Sequence, residues 1–271
     1  TFPQIRDRRR QFGVSWRQQR CVDAFMNAAQ VRDVLRDRTV TRELTSIPTS
    51  APLVFYYPTE WCPVGCPNCF ADSRRKPRLP PGDEVPGVIS DRALDESVRF
   101  MEEAGTRVLV ISGGGEPLDE REKTMRIIAH AAAIPSMTKI EVITSGFHFD
   151  TPEHARELFQ ELYDALGPHR GRVRMQVRFS VDDTHKHRVK LEWYPHILEA
   201  AKAYADTIEV RFATLTGHTA VDELAGLLGA ARVSADEGDT PYDFTDIVMP
   251  DGRRYSVLSK DTAYMGRAAR H

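Results

Sequence analysis

The clearest pattern in the chain lies at residues 173–181. Val173, Met175, Val177, Phe179 and Val181 alternate with Arg174, Gln176, Arg178 and Ser180. A period of two predicts a strand with one apolar and one polar face. Shorter apolar runs at Leu53–Tyr57, Val108–Ile111, Ile140–Ile143 and Ile208–Ala213 predict four more strands. Between them the apolar spacing becomes helical. Ser90 opens a segment with Leu94, Val98 and Met101 on one face, and Gly105 stops it. Further helices are predicted over 119–133, ended by Pro135, over 151–166, 191–204 and 221–228. Thr151-Pro152 reads as an N-cap with proline at the first helical position. Two weaker strands, 247–249 and 255–258, flank the turn Pro250-Asp251-Gly252.

Five βα units and a sixth strand imply an α/β fold with a parallel sheet covered by helices. A strand buried on both faces reads as a continuous apolar run, and residues 174–180 do not. Their polar face fits a strand lining a cavity. The expectation is a partial (β/α)6 TIM-like barrel over 51–258, with an N-terminal basic helical preamble over 1–50 and a C-terminal tail over 259–271. The preamble carries ten Arg against five Asp plus Glu. Val22, Phe25, Met26, Ala29, Val31 and Leu35 recur within it at helical spacing.

Composition narrows the function classes. The 271 residues are 41% hydrophobic and 28% charged, enough for a sizeable core. With 37 Lys plus Arg against 39 Asp plus Glu, the net charge of −2 gives no reason to expect nucleic acid as partner. No apolar stretch nears the roughly 18 residues that span a bilayer, so no membrane is expected. The chain opens on Thr1 without an initiator Met, which suggests that residues precede it. Its first thirty residues lack an apolar signal-peptide core.

Only four cysteines occur, too few for a disulfide scaffold. Cys62, Cys66 and Cys69 fall within eight residues directly after the first predicted strand, and Cys21 stands alone as a small apolar residue. A structural zinc site takes four ligands. An ordinary [4Fe–4S] electron carrier takes four cysteines at different spacing. Three thiolates on a cubane leave one iron without a protein ligand, and an open position marks catalytic metal sites.

The spacing Cys62-x3-Cys66-x2-Cys69 after the first strand, with Gly114-Gly115-Glu116-Pro117 after the second, resembles the radical S-adenosylmethionine (SAM) superfamily. The resemblance runs from about residue 53 to 213. It implies that Cys62, Cys66 and Cys69 ligate a [4Fe–4S] cluster whose open iron is chelated by the amino and carboxylate groups of SAM. It implies that Gly113, Gly114 and Gly115 meet the SAM amino group, and that Glu116 positions SAM rather than acting as a base. In such enzymes one electron cleaves SAM to methionine and a 5′-deoxyadenosyl radical, which abstracts hydrogen from the substrate.

The residue before the last cysteine is commonly aromatic in that family. Here it is Asn68, with Phe70 following, so the adenine contact is expected from Asn68 or Phe70. The SAM carboxylate needs a cation or hydrogen-bond donor, for which Arg178 and then Arg211 are candidates, with Ser180 and Ser145 nearby. The alternative for Arg178 is an internal ion pair with Glu209. His185, His187 and His218 are read as surface-loop residues. Tyr264-Met265-Gly266-Arg267-Ala268 resembles the segment preceding a SPASM or twitch extension. The functional expectation is a radical SAM enzyme acting on a peptide or small polar natural product. It would work in the cytoplasm and be supplied by a flavodoxin- or ferredoxin-like electron donor at the basic loop 74–78. The rival is a non-catalytic iron–sulfur or zinc electron-transfer module using the same cysteines.

Overall fold

The computed structural model describes residues 51–69, 71–78, 85–234 and 243–261. The expected preamble helix, Cys21, Phe70 and the Tyr264–Ala268 segment lie outside them.

Eight strands form one sheet: β1 (Leu53–Tyr56), β2 (Val108–Ile111), β3 (Lys139–Thr144), β4 (Arg174–Ser180), β5 (Ile208–Leu215), β6 (Ala231–Ser234), β7 (Asp243–Val248) and β8 (Arg254–Lys260). Their order is β1-β2-β3-β4-β5-β8-β7-β6. The first five and β8 run parallel, while β6, β7 and β8 are antiparallel neighbours. Six parallel strands thus follow one another as in a partial TIM-like barrel.

The sixth of them is not reached directly from the fifth βα unit. The chain first makes β6 and β7, and β8 then returns beside β5 with Phe212 opposite Val257. Neither β6 nor this detour was expected. Strand β8 also runs through Lys260, two residues into the segment assigned to the tail.

Helices α1 (Asp91–Glu103), α2 (Arg121–Ala133), α3 (Pro152–Ala165), α4 (Tyr194–Lys202) and α5 (Ala220–Leu227) connect the strands. Their ends follow the sequence signals. Ser90 Oγ accepts from Ala93 N at 3.2 Å, and Thr151 Oγ1 accepts from His154 N at 3.1 Å. Gly105 ends α1 with φ +62°, a left-handed geometry that glycine takes without strain. A 3₁₀ turn over Pro117–Glu120 precedes α2, and another over Leu191–Trp193 precedes α4.

The apolar face of β4 does what its alternation predicts. Val173, Met175, Val177 and Phe179 are fully buried. An aromatic row runs through Phe159, Phe149, Phe179, Tyr194 and Phe212, with successive ring centroids 5.1–5.8 Å apart. Edge contacts at this spacing add to the burial of area. The row locks α3 and α4 onto β4 and β5. The opposite face, carrying Arg174, Gln176, Arg178 and Ser180, stays polar and is available to line a site.

Candidate active site

The loops after β1, β2, β3 and β4 meet at the C-terminal ends of their strands, where ligands bind in parallel α/β proteins. The cysteine loop is pinned by backbone bonds on both sides. Glu60 N donates to Gly87 O at 2.8 Å, Cys62 N to Arg74 O at 2.8 Å, and Glu116 N to Trp61 O at 2.8 Å. Within the loop Gly65 has φ +68°, which a residue with a Cβ adopts only under strain.

The glycine run docks against this loop. A Cβ on Gly115 would stand 2.0 Å from Trp61 O, and one on Gly113 would stand 1.6 Å from Gly115 O. At Gly114 the nearest atom would be Thr59 O at 3.2 Å. The chain's own backbone is thus enough to explain why Gly113 and Gly115 carry no side chain.

The Glu116 side chain ties the ends of β2 and β3 together. It is 3% exposed. Its Oε1 accepts from Thr144 Oγ1 at 2.7 Å and from Leu118 N at 3.3 Å. Its Oε2 accepts from Ser145 N at 2.8 Å and Ser145 Oγ at 2.6 Å. Ser145 Oγ also accepts from Phe147 N at 3.3 Å, so this hydroxyl is engaged internally. Ser145 was expected near the SAM carboxylate; its hydroxyl and amide bond Glu116.

Cys62, Cys66 and Cys69 form no disulfide, and each has its own partners. Cys62 takes backbone hydrogen bonds from Val64 and Gly65. Burial, and then the Glu116 carboxylate, push its thiol up to about 12 despite those bonds. Cys66 is buried, and its thiol interacts with the side chain of His185. Cys69 Sγ lies 3.7 Å from Ser73 Oγ.

Among the described residues no three Cys, His, Asp or Glu side chains converge on the position of a single metal ion. A zinc ion needs its donors at bonding distance from one point. A four-iron cubane is wider, and each ligand reaches a different iron. Three soft thiols on one pinned loop, with no fourth cysteine among the described residues, fit the cluster.

The sequence reading placed His185, His187 and His218 on the surface. That is corrected for His185, whose Nδ1 lies 2.8 Å from Asp182 Oδ2 and whose ring meets Cys66. Burial pushes Asp182 up, but hydrogen bonds from His185 and Thr184 outweigh it and hold the carboxyl down at about 2. Burial pushes His185 down, and its bonds to Asp182 and Cys66 raise it instead to about 10. His187 Nε2 donates to Val64 O at 3.1 Å, tying the loop after β4 to the cysteine loop across 123 residues. His218 Nδ1 accepts from Asp183 N at 3.0 Å.

Below these loops the polar face lines a cavity of about 210 Å³, bounded in part by Lys139, Glu141, Gln176, Arg178, Arg211 and Ser256. Arg178 Nε lies 2.8 Å from Glu141 Oε1, and Lys139 Nζ lies 3.5 Å from Glu141 Oε2. Arg211 Nε lies 2.7 Å from Glu209 Oε1, and Gln176 Nε2 donates to Glu209 Oε2 at 2.5 Å. The anticipated alternative pair Arg178–Glu209 is therefore not formed. Register places Gln176 beside Glu209, and Glu141 takes Arg178.

Lys260, at the end of β8, was missed. Burial and the Arg178 guanidinium push its ammonium down, while Asp182 pulls it up. Three basic side chains, Lys139, Arg178 and Arg211, line the cavity, with Glu141 as the carboxylate between the first two, and Lys260 lies close enough to Arg178 to feel its charge. Ser180 lies beside Ala213 on the same face. Asn68 sits half-buried in the cysteine loop.

The sequence profile of the Radical SAM superfamily matches residues 56–223. Among solved structures, BtrN in complex with AdoMet and 2-DOIA is 13% identical with a TM-score of 0.39, over 59% of this chain and 56% of that one. The structure of anSMEcpe with bound AdoMet is 16% identical with a TM-score of 0.39, over 60% of this chain and 44% of that one. The chain spans about half the length of these two structures. No curated protein matches it.

Proposed function

Because the chain belongs to the radical SAM superfamily, we propose that it uses SAM to abstract hydrogen from a peptide or small polar natural product. Members of the superfamily are enzymes that use a [4Fe–4S] cluster and SAM, act on a substrate and take electrons from a reductant. When bound, this pair supplies a 5′-deoxyadenosyl radical, released with methionine as one electron enters SAM. The observation that carries the assignment in this chain is the cysteine loop with Gly113–Glu116 docked on its backbone, above a cavity with cations on its wall.

Cys62, Cys66 and Cys69 hold the cluster and shed their protons to do so. The Gly113–Gly115 backbone lies next to the loop and presents peptide groups toward the SAM amino group. Glu116 fixes the ends of β2 and β3, and through Trp61 the start of the loop. Arg178 takes the SAM carboxylate, with Arg211, Lys260 and Ser180 on the same polar face. Asn68 supplies an amide for adenine, and Phe70 a ring.

The polar cavity suits a substrate held by charge and hydrogen bonds rather than by a greasy pocket. Exposed Arg74, Arg75 and Arg78 form a basic edge near the cysteine loop for an acidic flavodoxin- or ferredoxin-like donor. An oxygen-labile cluster supports a reducing cytoplasm as the compartment of the enzyme. No helix among the described residues is long and apolar enough to cross a membrane.

The test is anaerobic reconstitution with iron and sulfide, then addition of SAM and dithionite. Formation of 5′-deoxyadenosine is expected. A fully loaded cluster that leaves SAM intact would instead make the protein an electron-transfer module.

A further inference from the structure

The loop after β4 makes two contacts with the cysteine loop, and they differ in kind. His187 meets a backbone carbonyl, Val64 O, at 3.1 Å. That bond docks one loop on the other. His185 meets a thiol, Cys66, and is itself held through Nδ1 by Asp182 Oδ2 at 2.8 Å. Asp182 is in turn fixed by Thr184, whose N and Oγ1 donate to Oδ1 at 3.0 and 2.5 Å. With Nδ1 taken by a carboxylate, the second ring nitrogen is the one left to face sulfur. An aimed ring on a buried thiol is more than docking requires.

We propose that His185 is a positioning residue that donates a hydrogen bond to the Cys66 sulfur when that sulfur ligates the cluster, with Asp182 aiming the ring. The inference deepens the proposed function and rests on Cys66 being a cluster ligand. A ring N–H directed at a thiolate draws electron density from it and stabilises the reduced cluster. Hydrogen bonds to ligand sulfurs are among the factors that set such potentials. A carboxylate behind a histidine near a metal is a recurrent second layer that fixes ring orientation. Asp182 and His185 thus form a device by which the loop after β4 tunes the cluster.

The experiment is an EPR-monitored redox titration of the reconstituted wild type and of His185→Gln, His185→Leu, Asp182→Asn and His187→Ala, each with iron and sulfide counted. His185→Leu is expected to shift the midpoint to more negative potential. His185→Gln, which keeps an N–H near the same place, is expected to fall between it and wild type. Asp182→Asn is expected to shift in the same direction as His185→Leu. His187→Ala is expected to lower cluster loading without moving the midpoint of the clusters that form. If His185→Leu does not load, the Gln and Asn variants carry the comparison. Equal midpoints in loaded wild type, His185→Gln and Asp182→Asn overturn the inference while leaving the functional reading intact. A wild type that loads no cluster overturns that reading first, and this inference with it.

Discussion

Replacing Glu116 separates a structural hub from a catalytic base. Its two oxygens accept four hydrogen bonds, two from the amides of Leu118 and Ser145 and two from the hydroxyls of Thr144 and Ser145. In Glu116→Gln one oxygen becomes an NH₂ group. The hydroxyls can turn to accept from it, because each both donates and accepts. The amides cannot turn. Whichever way the glutamine lies, one buried amide faces a donor. Leaving one such group unpaired costs about 1–3 kcal/mol. The glutamine is expected to turn so that the longer bond, Leu118 N at 3.3 Å, is the one lost. Glu116→Ala strands both amides, for about 2–6 kcal/mol. Urea unfolding of the protein before cluster loading, at pH 7 with thiols reduced, should rank wild type above Gln above Ala. An alanine variant within about 0.5 kcal/mol of wild type, the ordinary range for surface changes, would refute the hub.

Gly115→Ala puts a Cβ 2.0 Å from Trp61 O and 2.6 Å from Trp61 N, whereas Gly114→Ala meets nothing closer than 3.2 Å. Overpacking against backbone should cost about 3 kcal/mol or more at Gly115 and far less at Gly114; equal urea midpoints would contradict this. Burial and Glu116 hold the Cys62 thiol up at about 12. Its thiolate fraction, and so its rate of iodoacetamide labelling before cluster loading, should keep rising above pH 9; a plateau there, read by peptide mass mapping, would contradict it. The same shift has a sign for stability. A raised pKa contributes below the unfolded thiol's value of roughly 8.5, and the contribution is lost as pH climbs toward about 12. Arg178→Gln should weaken SAM binding by roughly tenfold, about 1.4 kcal/mol, by equilibrium dialysis against the loaded enzyme. An unchanged affinity would move the carboxylate to Arg211 or Lys260.

Most elements were legible because their signals are local. The β4 alternation, the Ser90 and Thr151 caps and the Gly105 stop each depend on residues within a few positions. What escaped depends on long-range pairing. Strand β6 (Ala231–Ser234) is an edge strand with little buried surface, so its four residues carry no apolar pattern. That β8 pairs parallel to β5 after a detour is a fact of topology. The cysteine loop could be picked out by spacing alone. The partners of Glu116, 28 and 29 residues away, could not, and Arg178 could not be matched to Glu141 without the register of β3 on β4. His185 looked like a loop histidine because the thiol it meets belongs to another loop far back in the chain. The run Asp182-Asp183-Thr184-His185 directly after β4 was the available hint, since a carboxylate three residues before a histidine can aim it.

The central claim is that Cys62, Cys66 and Cys69 hold a cluster with one iron open to SAM. It is tested most directly by the EPR spectrum of the reduced, fully loaded protein with and without SAM. The account predicts that SAM changes the spectrum of the wild type, and that Cys66→Ala, unable to hold the cluster, gives no such signal. A loaded cluster whose spectrum is the same with saturating SAM, or one that survives in Cys66→Ala, would contradict it.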